Sequence, residues 1–103
     1  MKSVITRQWH GTTRAEHSES YLKVLEETGI LDYKNIEGML SVEVWRKVDK
    51  DICHFWTVTK WSSLESIKKF AGEDYEKAKY YPEDTKYLLD FEEHVAHYET
   101  VIY

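Results

Sequence analysis

The chain has 103 residues, which is the length of a single domain, so we expect residues 1–103 to form one. Its 14 basic and 19 acidic residues give a net charge of −5 without a basic block, which argues against nucleic acid or an anionic membrane as a partner. Cys53 is the only cysteine, so no internal disulfide is possible. The sequence has neither a signal-peptide pattern nor an apolar run long enough to span a membrane. It therefore predicts a soluble, cytoplasmic protein.

The first half of the chain reads as strand, helix and strand. Alternating β-rich residues over 4–9 predict the first strand, and residues 10–12 predict a turn. Thr13 and Glu16 have capping-box spacing, which predicts a helix that ends near Gly29. Residues 32–38 predict a loop. Alternation over residues 39–48 then predicts the second strand.

Residues 52–72 contain the clearest change in the chain from the residue pattern of a strand to the helical spacing of apolar residues. Aromatic and β-branched residues up to Trp61 predict a third strand, joined to the second by a hairpin at residues 49–51. Ser62 and Glu65 predict the N-terminal cap of a helix that stops at Gly72. Residues 74–80 predict irregular helix, and 83–89 predict one or two further helical turns after Pro82. Residues 91–103 predict the last strand.

The element order β-α-β-β-α-β predicts an α+β, ferredoxin-like antiparallel sheet with helices on one face. Right-handed crossovers predict that strands one and three lie side by side in the middle, parallel to each other. Trp9 and Trp61 each precede a capping box, which predicts that both indoles lie near the same edge of the sheet. The second and third strands are apolar on both faces, so we expect a second copy to cover the open face in a homodimer.

Chemistry-bearing motifs are sparse. His94 and His97 would lie on opposite faces of a strand, and no third ligand joins His10 and His97, so no metal is predicted. The glycines are isolated, which gives no support to a phosphate-binding loop. Eight aromatic or imidazole residues fall on elements that should meet at one end of the helix layer. They are Trp9, His10, Trp61, Phe70, Tyr75, Tyr80, Tyr81 and His97. Two interpretations stay open: core and interface packing, or a pocket for a flat aromatic ligand.

Three runs of sequence resemble a known family. They are W-S-S-L-E-S-I-K-K-F-A-G-E-D from Trp61, A-K-Y-Y-P-E-D from Ala78 and H-Y-E from His97, with W-H-G at residues 9–11. The chain resembles the antibiotic biosynthesis monooxygenase domain family of dimeric α+β barrels over nearly its whole length. This family includes cofactor-independent monooxygenases, haem-degrading enzymes and proteins without an assigned activity.

The resemblance implies different chemistry in its different branches. The haem-degrading branch carries a Trp and a His where this chain has Phe70 and Tyr80, so haem degradation is disfavoured and no cofactor is predicted. The cofactor-free branch implies oxidation of a small phenol or anthrone by O₂. There His97 or His10 would act as base, and Tyr80 or Tyr81 as a hydrogen-bonding partner. Candidate pocket walls are Trp9, Trp61, Phe70 and Tyr81. The alternatives are a non-catalytic binding or stress-related module and an isomerase- or cyclase-like enzyme on the same scaffold.

Overall fold

The computed structural model describes residues 2–103. Within them the strands are β1 (Lys2–Arg14), β2 (Met39–Asp49), β3 (Ile52–Trp61) and β4 (Ala96–Ile102). The helices are α1 (Ser18–Glu27), α2 (Gly29–Lys34) and α3 (Leu64–Ala71), with 3₁₀ turns at Ala15–His17 and Pro82–Lys86. No helix among these residues is long and apolar enough to cross a membrane.

The strands form one sheet in the order β2-β3-β1-β4, and all neighbouring strands are antiparallel. The predicted ferredoxin-like α+β architecture is confirmed. The expectation that strands one and three are parallel is wrong, although they are neighbours as predicted. The crossover through α1 and α2 makes β1 parallel to β2, and the hairpin then inserts β3 between them in the reverse direction.

Strand β1 is longer than its sequence pattern indicates. Its pairing with β3 continues to Arg14, opposite Ile52, so the predicted turn at residues 10–12 is strand instead. Gly11 serves the packing of Trp9, because a Cβ at Gly11 would lie 2.4 Å from the Trp9 ring. The predicted cap at Thr13 is also wrong, since this residue is still in the strand and helix α1 begins later.

Other boundaries shift for identifiable reasons. Helix α1 ends at Glu27, close to the predicted end near Gly29, because the Thr28 backbone leaves helical geometry. The additional helix α2 then takes up residues 32–34 of the predicted loop at 32–38. Ser63 rather than Ser62 caps α3, with its hydroxyl accepting a bond from the Ser66 amide. Residues 74–80 are not helical, because their backbone pairs with residues 93–95 around the Lys77–His94 bridge. That pairing precedes β4, which is therefore shorter than predicted.

The buried side chains form two clusters between the sheet and the helices. The first contains Trp9, Tyr21, Leu25, Cys53, Phe55 and Leu88, and the second contains Tyr33, Trp61, Ile67 and Phe70. Trp9 and Trp61 belong to different clusters, so the expectation that both indoles lie near one sheet edge is wrong. Because β1 and β3 are antiparallel, Trp9 lies opposite Thr57 while Trp61 lies opposite Ile5.

Candidate functional site

A cavity lies between the sheet and the helix layer, where the two core clusters meet. It offers about 30 Å³ to the centre of a water molecule, which is room for a few water molecules at most. Its lining joins aromatic rings, hydroxyls and charged groups. These residues are Arg7, Trp9, Tyr21, Leu25, Thr28, Gly29, Ile30, Tyr33, Thr57, Phe70, Lys79, Tyr80, Tyr81 and Asp84. Such a mixture of apolar walls and a few polar groups is typical of small-molecule sites.

Arg7 is the most unusual member of this lining. Its side chain is only 3% exposed, and no acidic side chain within residues 2–103 forms an ion pair with it. One terminal nitrogen donates to the Lys77 carbonyl at 3.2 Å, while the Nε atom has no partner. Burial lowers the pKa of the Arg7 guanidinium, and the neighbouring Tyr33 and Tyr81 oppose this shift. A buried cation without a counter-charge is costly, which marks Arg7 as a candidate ligand-binding group.

Two cations lie close to the Phe70 ring. The Arg7 guanidinium carbon is 5.4 Å from the centre of the Phe70 ring, and the Lys79 Nζ is 4.6 Å from it. The face of an aromatic ring attracts cations, so Phe70 offsets part of the cost of placing these charges near an apolar cavity.

The tyrosines around the cavity are held as neutral phenols. Burial raises the pKa of Tyr33, Tyr80 and Tyr81, and the hydrogen bond from the Tyr81 hydroxyl to Asp32 raises the pKa of Tyr81 further. Burial, together with the charge of Asp84 and the hydrogen bond to it, raises the pKa of Tyr21. These hydroxyls are therefore hydrogen-bond donors and acceptors at neutral pH, and poor bases.

Hydrogen bonds fix the orientation of two walls. The Trp9 indole donates to the Tyr80 hydroxyl at 3.2 Å, and Tyr80 donates in turn to the Glu92 carbonyl at 2.6 Å. Asp84 accepts from the Tyr21 hydroxyl at 2.9 Å and from the Tyr81 amide at 2.7 Å. Tyr80 and Tyr81 lie in a segment without regular structure and are partly exposed. These contacts therefore hold the outer wall of the cavity to its inner wall.

The structure brings together four of the predicted site residues. Trp9, Phe70, Tyr80 and Tyr81 all line the cavity. Trp61 does not, because its fully buried ring packs behind Phe70 and Tyr33, with its indole nitrogen donating to Thr59 at 2.8 Å.

The two candidate histidines lie on opposite faces of the sheet. His10 is on the face away from the helices, where its ring bonds Glu92 and approaches His54 at 3.0 Å. His97 is on the helix-facing side, directly opposite Arg7 in register, and packs edge-on against Tyr75 at 5.4 Å. It lines a wide groove that shares no lining residue with the cavity, and its Nε2 is buried without a partner. Burial and then the nearby Arg7 charge lower the pKa of His97, so the imidazole is neutral at neutral pH.

Sequence reasoning missed Arg7, Tyr33 and Asp84. For Arg7 a signal was present, since it alternates with Ile5 and Trp9 and therefore points to the same face as these apolar residues. A charge in the apolar register of a strand indicates a buried charge. Tyr33 and Asp84 carry no comparable signal, because they reach the cavity from a helix and a turn whose positions depend on tertiary packing.

Comparisons with known proteins agree with this architecture. The structure matches a Bacillus cereus protein provisionally named an antibiotic biosynthesis monooxygenase, with a TM-score of 0.59 and 18% identity over 98% of this chain and 91% of that one. It also matches a protein of Shewanella oneidensis (TM-score 0.69, 16% identity, 99% and 94% covered). A conserved protein of Methanosarcina mazei gives a TM-score of 0.66 at 17% identity, with 92% and 90% covered.

No protein-family model and no curated protein matches the sequence. The structural matches establish a ferredoxin-like α+β fold like that of the Bacillus cereus protein. At these identities the matches show the fold alone.

Proposed function

We propose that this protein oxidises a small phenolic compound with O₂ and without a cofactor. The observation that carries the proposal is the aromatic cavity with the buried, unpaired Arg7 charge in its wall. Trp9 and Phe70 offer flat surfaces to a ring, and the guanidinium favours ionisation of a bound phenol. A phenolate is electron-rich enough to reduce O₂ directly, which a neutral phenol is not.

The reaction balances without an external reductant. The phenolate passes one electron to O₂, and the resulting radicals join at the para carbon as a hydroperoxide. Loss of water from this hydroperoxide breaks the O–O bond and the para C–H bond. One oxygen atom stays in the quinone and the other leaves as water, so the substrate supplies all four electrons. The protein needs only to bind the ring, accept the phenol proton and exclude bulk water.

His97 is the histidine that the fold favours as the base. It lies on the helix-facing side next to Arg7, and its lowered pKa keeps the imidazole free to accept a proton. His10 lies on the other face, against Glu92 and His54. Tyr80 and Tyr81 are hydrogen-bonding partners for the ligand in this proposal. Because the cavity is small, a substrate must displace the irregular segment that carries these two tyrosines.

The test is O₂ uptake with a panel of small phenols that carry hydrogen at the para carbon, corrected for uptake without protein. His97→Ala should lower the rate by about 100-fold or more, in the range of a lost general base. His10→Ala should change it by less than about twofold, as should His94→Ala, because His94 is exposed. No uptake by the unmodified protein with any member of the panel would refute the oxidation, and unchanged uptake in His97→Ala would remove His97 from it.

The residues do not fit haem as a cofactor. Phe70 and Tyr80 line the cavity, and no histidine within residues 2–103 does so. An axial imidazole is therefore not available there. Adding haemin should produce no Soret band beyond that of free haemin.

The small volume of the cavity favours a second candidate function, in which the chain binds a small molecule without converting it. A non-catalytic binding module on this scaffold needs the same walls but no base. Ligand-induced shifts of the Trp9 indole signal in an NMR spectrum, without O₂ uptake, would identify this case.

We also propose that two copies pair through the open face of the sheet. Large apolar side chains lie there with much of their surface exposed: Trp45 is 47% exposed, Tyr98 51% and Ile102 41%. They share that face with His10 and Trp56, as the strand registers require. The helices cover only the other face, and a second copy would supply a matching apolar surface.

Light scattering at micromolar concentration tests the pairing. Trp45→Glu places a charge among the exposed apolar side chains of the open face and should shift the protein to monomer, with a dissociation constant raised at least about 100-fold. Leu31→Glu is the matched control, because Leu31 is 52% exposed on α2, on the helix side. A stable monomer in the unmodified chain would refute the pairing.

A further inference from the structure

The guanidinium of Arg7 carries a buried charge and a buried donor without an acceptor. Its side chain is 3% exposed, and among residues 2–103 its Nε atom has no hydrogen-bond partner. Buried polar atoms in folded proteins are almost always paired, so this one needs a reason. An acceptor that also carries a negative charge would satisfy the donor and offset the buried cation at once.

The surroundings of Arg7 add positive charge. The Arg7 guanidinium carbon and the Lys79 Nζ lie 5.4 Å and 4.6 Å from the centre of the same Phe70 ring, so two cations share one wall of the cavity. Lys79 is half-exposed and lies 3.9 Å from the Asp32 carboxylate, so solvent and this carboxylate screen its charge. Arg7 is shielded from solvent and has no such carboxylate among the described residues, which makes its position the attractive one for an anion.

Asp84 is the only acidic residue within residues 2–103 that lines the cavity, and its charge is used elsewhere. Its carboxylate accepts from the Tyr21 hydroxyl at 2.9 Å and from the Tyr81 amide at 2.7 Å. Tyr21 belongs to the first core cluster, whereas Phe70, beside Arg7, belongs to the second. Asp84 therefore forms its bonds on the other side of the cavity and leaves the Arg7 charge without a counter-charge.

The size of the cavity limits which anion can enter. The cavity offers about 30 Å³ to the centre of a water molecule, which is room for a few particles of that size at most. A chloride ion is only slightly larger than a water molecule, and it fits without any movement of the walls. Tyr33 and Thr57 line the same cavity and supply hydroxyl groups. Burial raises the pKa of Tyr33, so its hydroxyl remains a donor at neutral pH.

We propose that the cavity binds one small monovalent anion of the size of chloride, with the Arg7 Nε–H as its principal donor. Hydroxyl groups from Tyr33 and Thr57 complete its coordination, and Phe70 forms the apolar wall behind it. The anion occupies space that an aromatic ring would need, so chloride should compete with any larger ligand of this cavity. The inference needs neither a substrate nor turnover and therefore stands apart from the proposed oxidation.

Chlorine NMR tests the proposal on the full chain. Chloride held by a protein relaxes quickly, so its signal broadens in proportion to the bound fraction. The unmodified protein should give an excess linewidth that saturates as sodium chloride replaces sodium gluconate at constant ionic strength. Bromide should displace chloride, and iodide should displace it less well because it is larger than the cavity allows. Exposed protein surface has the opposite preference, since large anions are weakly hydrated and adsorb more readily.

The variants assign the bound chloride to Arg7. Arg7→Met should weaken chloride binding at least about 10-fold, in the range of a lost hydrogen bond to a charged partner. Arg14→Met is the matched control on the same strand, because Arg14 is exposed and paired with Glu16, and it should bind as the unmodified chain does. Chloride in place of gluconate should raise the melting temperature of the unmodified chain and of Arg14→Met, but not that of Arg7→Met.

Bromide gives a test that needs no variant. Crystals of the unmodified chain in sodium bromide should show an anomalous scattering peak against the Arg7 Nε atom. Peaks only at the exposed surface, a preference for iodide over chloride, or equal broadening by the unmodified chain and Arg7→Met would overturn the proposal, and water would then fill the position. Chloride binding that Arg7→Met abolishes, without O₂ uptake by any phenol, would support this inference while refuting the proposed oxidation. O₂ uptake without chloride binding would do the reverse.

Discussion

The two faces of the sheet carry the same kinds of residue and use them differently. Trp9 and Trp61 project towards the helices, and Trp45 and Trp56 project away from them. The first pair is buried within the chain, whereas Trp45 is 47% exposed. The two faces also differ in whether their charged or titratable groups have hydrogen-bond partners. On the helix side Arg7 is buried with an unpaired nitrogen, while on the open side His10 is bonded to Glu92 and His54.

This contrast is the basis for proposing a small-molecule site on one face and a pairing surface on the other. An unsatisfied buried polar atom on a residue that lines an aromatic cavity is suited to a ligand that supplies the missing partner. Exposed aromatic side chains with satisfied polar neighbours are suited to another protein surface. The residue types alone do not distinguish the two cases, since tryptophan and histidine occur on both sides.

The largest expected effect compares one aromatic residue from each face. Phe55→Ala should lower the free energy of unfolding by about 3–5 kcal/mol, because Phe55 is fully buried in the helix-side core. Trp45→Ala should lower it by less than about 1 kcal/mol at concentrations where the chain is monomeric, since its ring is half exposed. Urea denaturation of both variants measures the difference. Similar losses would show that the open face is packed within one chain.

A smaller effect is expected from a methyl group added beneath Trp9. Gly11→Ala places its Cβ 2.4 Å from the Trp9 ring, so the indole must move and the cavity wall must change. We expect a loss of about 1–3 kcal/mol in the free energy of unfolding. Gly29→Ala is the matched control at the same cavity, because its Cβ would meet ordinary contacts at 3.8 Å. It should change stability by less than about 1 kcal/mol. Equal effects of the two variants would refute the packing role of Gly11.

The smallest effect concerns the pH dependence of stability. Burial and Arg7 lower the pKa of His97 in the folded state, so between the unfolded and folded pKa values only the unfolded chain binds the proton. The contribution of the neutral His97 imidazole to the free energy of unfolding is therefore present above a pH of about 6.5 and is lost as the pH falls below it. His97→Gln should flatten the decline between about pH 7 and 5 by less than about 1 kcal/mol. His94→Gln, at an exposed position, should leave the profile unchanged, and an identical profile in both variants would contradict the shift.

Much of the architecture was readable from local pattern. The strand and helix around Trp61, the hairpin at residues 49–51 and the ferredoxin-like element order are all consequences of period and capping. The length of β1 could not be predicted from the sequence, because a Gly after Trp9-His10 is typical of a turn. Only the structure shows that Gly11 leaves space for the Trp9 ring within the strand. The direction of β1 relative to β3 was also misjudged, since hairpin and crossover geometry must be combined to obtain it.

The candidate site, like the fold, could be predicted from the sequence only in part. Trp9, Phe70, Tyr80 and Tyr81 were identified from aromatic density and resemblance, and they line one cavity. The same signals predict Trp61 as a pocket wall, but its ring is packed behind Phe70. Aromatic residues in a sequence look alike whether they line a cavity or fill a core, and only their neighbours separate the two.

By itself the sequence determined the element types and the fold class, because strand alternation, helical period and caps act over a few residues. Only the tertiary structure decided that Arg7 and His97 face each other on adjoining strands and that His10 lies on the opposite face. Arg7 and His97 are about 90 positions apart in the sequence, and the register of their strands brings them opposite each other. A one-residue change of register would move every side chain of a strand to the other face, so the site depends on long-range pairing that no local pattern encodes.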